Sequence, residues 1–401
     1  MKIDRNYHLL LWSQFLGAFG DNVILMIILG QLTARFKAGQ LTEQQLSSSN
    51  AFYTTLLFIP YFLFAPLAGY LNDRYSKTLW LLGGNTIKLA GTFVAGASLL
   101  WGRDWQGLGY FIVGIGSCVY SPAKYGILPE ILPGERLVKA NGTVEMLTLV
   151  AILTGNICGA KLIDVLPPLS CYGIQIGIYV VSMALNLVMT RTPCDTSVRL
   201  GTSLQEFFGH FATLLHAPRL GRILLGTTLF WICGAVLKMN FQPWGLKTLR
   251  LQDNTSIALL GLWLSVGVMI GSLLAGQLHK VGDLRRTRAY GVALALLVAI
   301  LSTFTAHLLI VGFLIFTGIS AGLFLIPLNA ALQAESPASK LGKTIAVQNF
   351  LENLAMSLGG LVVVLSTTRL SASAPAIFLG LAAFVIVAVA WLQFPERKDP
   401  A

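Results

Sequence analysis

Six ionisable residues, Asp21, Lys88, Lys124, Glu145, Lys238 and Glu352, fall inside long apolar stretches of a 401-residue chain. A charge at the depth of a bilayer costs at least ~2.5–3.5 kcal/mol on insertion scales, so such residues are rare and face a cavity or a partner. Three acids and three bases balance. Lysines can hold an anionic group; an acid can hold a cationic one or close a gate. Each has suitable company at helical spacing. Lys124 shares a face with Ser117, Tyr120 and Ser121, and Lys238 with Thr227, Trp231, Gly234 and Phe241. Asp21 shares one with Gln14, Gly17 and Ala18. Glu145 lies near Thr148, and Glu352 near Gln348 and Asn349; both suit either a latch, paired with Lys88, Lys124 or Lys139, or a coupling proton. This pattern fits a polar pathway through a helical bundle, the arrangement of a transporter.

The elements that must position these residues are membrane helices. The chain is 55% hydrophobic and 11% charged, with a mean hydropathy of +0.71. A spanning helix needs ~20 mostly apolar residues. Twelve candidates are centred near residues 20, 61, 89, 117, 154, 180, 234, 267, 297, 320, 355 and 383. The short connections leave no room for a separate soluble domain. The first apolar run carries Asp21 and Asn22 and no small-residue cleavage pattern, so it reads as a retained helix rather than a signal peptide. Lys and Arg gather in the N-terminal tail, alternate loops and C-terminus, which places both termini in the cytoplasm. The net charge of +11 therefore reflects topology and not nucleic-acid binding.

A polar stretch from Arg191 to Arg222 divides the chain into two six-helix halves, 1–190 and 223–401, with 191–222 as a cytoplasmic linker. Gly17–Asp21 lies over Gly234–Lys238, Ser121–Lys124 over Ile326–Asn329, and Val144–Met146 over Leu351–Asn353. Parallel repeats of this kind build one large class of secondary transporters, with the site near the midplane. In the linker, Ser203 and Glu206 form a capping box, and Leu204, Phe207, Phe208, Phe211, Leu214 and Leu215 form one apolar face of a surface helix. Pro60, Pro66, Pro122, Pro243 and Pro327 interrupt spans and can kink them. Gly267 and Gly271 give a small face suited to close packing.

The loop Gly69-Tyr70-Leu71-Asn72-Asp73-Arg74-Tyr75-Ser76-Lys77 resembles the Gly-x-Leu-x-Asp-Arg-x-x-Arg/Lys loop of the major facilitator superfamily. Its logic is a tight helix end, an acid (Asp73) that can meet a helix N-terminus, and cations such as Arg74 on the cytoplasmic side. The counterpart near Gly276 to Arg288 is degenerate. Longer segments narrow the resemblance: Ser13–Asn22, Ser121–Leu128, Leu137–Gly142, Ile326–Ala330, Ala346–Asn349 and Glu352-Asn353. Together these look like the bacterial lysophospholipid transporter family, across nearly the whole chain.

That resemblance implies a multi-pass inner-membrane protein that flips lysophospholipids, notably lysophosphatidylethanolamine, from the outer to the inner leaflet. A cytoplasmic acyltransferase/acyl-carrier-protein synthetase would then restore the second chain. It also implies that the first, fourth and seventh helices line a cavity holding Asp21, Gln14, Tyr120, Ser121, Lys124, Trp231, Lys238 and, from the tenth, Asn329. Lys124 and Lys238 suit the phosphate. Asp21 suits the amine or a gate with Lys238. Lys88, Glu145, Glu352, Asp73 and Arg74 suit latching or coupling. Lysine stands at 238 where the family pattern leads one to expect arginine, so a point charge replaces a bidentate grip.

The motifs argue against an enzyme. The residues five after each histidine are Ser13, Leu215, Gly221, Leu284 and Gly312, so the His-x4-Asp arrangement of glycerolipid acyltransferases is missing. Gly342-Lys343-Thr344 lacks the upstream glycine of a phosphate loop, Pro337 standing there. The five cysteines (Cys118, Cys158, Cys171, Cys194, Cys233) have no metal-ligand spacing and read as small hydrophobes. No cofactor is expected. The competing reading is a proton-coupled exporter of amphiphilic drugs, which Asp21 and the glutamates would suit; the paired lysines favour an anionic cargo.

Overall fold

In hydrocarbon no water can satisfy a backbone N–H or C=O, so a chain this apolar pairs its backbone within helices. The computed structural model describes residues 2–41, 49, 52–101, 104–195, 197–251, 254–304 and 307–394, and its long regular elements are all helices. They are α1 (Lys2–Lys37), α2 (Phe52–Leu63) and α3 (Ala65–Arg74), α4 (Lys77–Trp101), α5 (Gln106–Gly126), α6 (Leu137–Val165), α7 (Pro168–Leu187), α8 (Leu200–His216), α9 (Leu220–Lys247), α10 (Asn254–Leu278), α11 (Thr287–Leu301), α12 (His307–Glu335), α13 (Leu341–Arg369) and α14 (Ala374–Trp391).

Among the described residues, nine helices are long and apolar enough to cross a membrane, or ten if α2 and α3 form one span bent by 58°. Length and composition alone do not confirm the expected count of twelve. The helix α11 has only 15 residues, and α4 carries Lys77, Asn85, Lys88 and Thr92 on its buried side. The bend between α2 and α3 has its cause in Pro60 and Pro66, which remove two backbone donors within two turns. Pro122, Pro243 and Pro327 lie inside α5, α9 and α12.

The chain forms two units. The first comprises Met1–Leu132, Leu147–Phe208 and Ala338–Asn349; the second comprises Pro133–Met146, Gly209–Pro337 and Phe350–Ala401. Within the first, α4 and α5 cross backbone against backbone. A Cβ at Gly109 would lie 2.5 Å from the Ala95 nitrogen, and one at Gly116 2.5 Å from the Gly84 oxygen. Beside this crossing lies an apolar core of Val23, Ile24, Ile27, Ile28, Val113 and Tyr172. Within the second, Gly267 and Gly271 press against the carbonyls of Ile315 and Ile319, the close packing their spacing implied.

Each unit also seats the opening turns of a long helix from the other half of the sequence. Gly69 abuts the Lys343 Cα and Ala346 in the first unit, and Gly276 abuts Lys139 in the second. A side chain at either glycine would hold the two backbones apart.

The linker helix α8 starts at Leu200, one turn before Ser203 of the expected capping box. The side chains of Ser203 and Leu204 lie outside the described residues. Phe207 and Leu214 are buried and Phe208 is exposed, which gives the apolar face two sides.

Candidate functional site

Asp21 sits on α1 within the first unit and is 8% exposed. Three helices converge on its carboxylate. Lys88 Nζ on α4 lies 2.8 Å from Oδ2, Ser117 on α5 donates to the same oxygen at 2.9 Å, and Tyr179 on α7 donates to Oδ1 at 2.7 Å. The ammonium of Lys88 also lies 5.1 Å from the Tyr120 ring centre and 6.0 Å from that of Tyr179. A buried charge is tolerated when it is paired and hydrogen-bonded, and here both members are. Gly17, one turn before Asp21, faces the Lys88 and Asn85 side chains, which would meet a Cβ there at 3.6 and 3.5 Å, ordinary contact. Gly20 leaves room for Gln175 and Tyr179, which would lie 2.7 and 2.8 Å from a Cβ there.

A polar network continues from this pair. Asn85 donates to Ser182 and to Asn186, both at 2.8 Å. Asn186 donates to Ser13 Oγ at 2.7 Å, and Ser13 shares a 2.9 Å hydrogen bond with Tyr120. Gln14 accepts from Thr148 at 3.1 Å, while its Nε2 is buried without a hydrogen-bond partner among the described residues. Tyr120 is thus a packing and hydrogen-bonding element of the Asp21–Lys88 cluster. Ser121 accepts from Asn349 Nδ2 at 2.9 Å, and Lys124, half-buried, lies 4.3 Å from the Tyr125 ring centre.

Sequence reasoning did not assign Tyr179, Asn85, Ser182 and Asn186. A signal existed: Gln175, Tyr179, Ser182 and Asn186 follow i, i+4, i+7, i+11 spacing on α7, a polar stripe in an apolar helix.

Asp73 ends α3 where α13 begins. Its two carboxylate oxygens lie 3.2 and 3.3 Å from the Lys343 backbone nitrogen, in the first turn of α13. An acid at a helix N-terminus is favoured by the exposed N–H groups and the helix dipole. Lys343 Nζ reaches Glu206 at 3.1 Å. Arg74 bonds the Val198 carbonyl and covers the Tyr75 ring at 5.5 Å. Lys77 pairs with Glu130.

In the second unit Lys238 is exposed on α9, one turn beyond Gly234, which has open space beside it. Trp231 is half-buried and edge-on to Phe230, with centres 5.3 Å apart. Asn329, Glu145 and Glu352 are buried, at 7%, 4% and 6% exposure. Two interactions went unforeseen: a reciprocal amide pair between Asn141 and Gln333, at 2.9 and 2.8 Å, and a bidentate pair between Arg219 and Glu335, at 2.7 and 2.8 Å.

Long helices bearing buried charges and polar networks define a polytopic membrane protein of the transporter type. A model of the Major Facilitator Superfamily matches residues 10–360. The chain is similar to the lysophospholipid transporter LplT of Photorhabdus laumondii, 35% identical over 360 residues, covering 89% of this chain and 87% of that one. It is equally similar to LplT of Enterobacter sp., 35% identical over 350 residues with 86% and 85% covered. Its fold is similar to that of the human organic anion transporter MFSD10, with a TM-score of 0.78 at 15% identity over 98% of this chain and 99% of that one. The chain belongs to the major facilitator superfamily and, within it, to the lysophospholipid transporter family.

Proposed function

We propose that the protein moves lysophospholipids, lysophosphatidylethanolamine among them, from the outer to the inner leaflet of the bacterial inner membrane. The observation that carries this reading is the likeness to transporters named for that cargo over almost the full length of both chains. The chemistry of the residues supports it. A lysophospholipid has an anionic phosphate, often a cationic amine, and one acyl chain. Lys124 and Lys238 are assigned to the phosphate, with Trp231, Ser121 and Asn329 beside the headgroup. Gln14, whose amide nitrogen has no hydrogen-bond partner among the described residues, is a further donor for it.

Asp21 is a positioning residue, because Lys88, Ser117 and Tyr179 already occupy its oxygens. A gate between Asp21 and Lys238 would require that cluster to open. Asp73 and Arg74, with Glu145 and Glu352, are assigned to latching during alternating access of the halves 1–190 and 223–401. Both termini are placed in the cytoplasm by the distribution of Lys and Arg. Reacylation by a cytoplasmic acyltransferase is the step that would use the product.

The test is inward movement of labelled lysophosphatidylethanolamine in liposomes holding the purified protein, wild type against Lys238→Ala and Lys238→Arg. Movement in wild type and Lys238→Arg, with at least a tenfold loss in Lys238→Ala, is expected. Equal movement in all three removes Lys238 from the pathway. Absence of movement under any ion gradient overturns the lipid reading in favour of export of amphiphilic drugs.

A further inference from the structure

A cavity of about 430 Å³ lies in the first unit, where α2 starts and α5 starts. Three aromatic rings, Phe52, Tyr53 and Phe111, stand with Leu56 and Leu108 around a single charged group, Asp104. Asp104 is exposed, so its carboxylate is available at the mouth, while Tyr53 is buried in the wall. Phe52 and Tyr53 meet edge to face, with centres 5.4 Å apart.

Rings around a carboxylate form the arrangement that recognises an organic ammonium group. The ring faces attract the cation, and the acid supplies charge and a hydrogen-bond acceptor. A metal ion would need more oxygen ligands than one carboxylate and a phenol. A neutral apolar ligand would gain nothing from Asp104.

The position indicates the source of the ammonium. Trp101 and Trp105 flank the cavity's loop, edge-on to each other with centres 5.6 Å apart, and Trp101 is 67% exposed. Exposed tryptophans at a span's end belong at headgroup depth. The floor rests on the apolar core that includes Tyr53, Leu56, Tyr110 and Val113, while Phe52 and Leu108 in the lining are exposed and give apolar surface along which an acyl chain can lie. Gly107 opens the floor: a Cβ there would touch Phe52, Tyr53 and Leu56 at 3.7–3.9 Å, ordinary contact that larger side chains would turn into a plug.

We infer that this cavity is a docking site for the ammonium headgroup of a lipid, held by Asp104 and the rings of Phe52, Tyr53 and Phe111. The inference deepens the proposed lipid transport, on which it rests, by giving it a headgroup-selective station apart from Lys124 and Lys238. The end bearing α1's C-terminus would then face the outer leaflet.

The test is equilibrium binding of tritiated lysophosphatidylethanolamine and lysophosphatidylglycerol to the purified full-length protein, with transport measured in parallel. The second lipid shares the phosphate and chain but lacks the ammonium. Asp104→Asn and Gly107→Leu should each weaken binding of the first lipid about fivefold, as expected for loss of a partly exposed cation contact. Binding of the second should stay within twofold, and free ethanolamine should compete poorly. Unchanged binding of the ammonium lipid, or equal weakening for both lipids, overturns the site. Strong competition by free ethanolamine overturns the lipid as its source. Headgroup-selective binding without movement of either lipid would keep the site and overturn the transport reading.

Discussion

Replacing Lys88 with methionine should expose how the first unit depends on its buried ion pair. Methionine nearly keeps the length of the side chain, but removes the ammonium, which lies 2.8 Å from Asp21 and 5.1 Å from the Tyr120 ring centre. Lys88 is 2% exposed and Asp21 8%, so water cannot replace the lost partner. Removing one member of a buried pair costs about 3–5 kcal/mol, because the other charge stays desolvated. Two hydrogen bonds to Asp21 remain, from Ser117 and Tyr179, which places the expected loss near the low end. For a unit of roughly 200 residues, 1 kcal/mol moves the unfolding midpoint by about 2–4 °C, giving a fall of roughly 6–12 °C for about 3 kcal/mol. Thermal unfolding of the detergent-purified protein by intrinsic fluorescence measures it. The double variant Asp21→Asn/Lys88→Met removes both charges, and the amide oxygen of the introduced asparagine can still accept from Ser117 or Tyr179. Its midpoint should return to within about 4 °C of wild type, since replacing both members of such a pair is often near neutral. A single variant within about 2 °C of wild type, or a double variant no better than the single, would refute the reasoning.

The crossing of α4 and α5 gives a second expectation. Gly109→Val places its first side-chain atom 2.5 Å from the Ala95 nitrogen and the Gly91 oxygen; since backbone cannot yield, the folded fraction after size-exclusion chromatography should fall sharply, while Gly173→Ala, with open space beside it, should match wild type. His279, just beyond α10, bonds Tyr290 at 3.0 Å. Burial pushes its imidazole below the ordinary value, opposed by a backbone contact with, and the charge of, Asp283, and assisted by Arg286. The folded protein therefore binds this proton less readily than the unfolded chain, so the contribution is complete above about pH 6.5 and is lost as pH falls through the lowered value. Midpoints recorded from about pH 8 to about pH 5 should show a decline that His279→Gln reduces; an unchanged slope would exclude His279 as its source.

Helix positions and the proline bend were legible because hydropathy and proline chemistry act locally. The span count was less so. The helix α4 devotes one face to polar contacts that only its neighbours make visible, and α11 is short. Asp73 at a helix N-terminus followed from its loop motif, whereas Lys88 as the partner of Asp21 did not. Nothing in the spacing of 21 and 88 places them together; that depends on the packing of α1 against the glycine-lined crossing of α4 and α5. The stripe on α7 was readable in outline, but its partners Asn85 and Ser13 lie on other helices. The amide pair between Asn141 and Gln333 required knowledge of which unit receives the first turns of α6.

The exchange of helix openings between units has a consequence for biosynthesis. The surface at Gly276 that receives Lys139 leaves the ribosome long after Lys139 itself. The segment Ala338–Asn349 that completes the first unit is made when most of the chain is already inserted. The first unit therefore cannot reach its final form while it is being synthesised. Gly69 and Asp73 must wait until Lys343 arrives, and the last helices to emerge close a structure begun by the first.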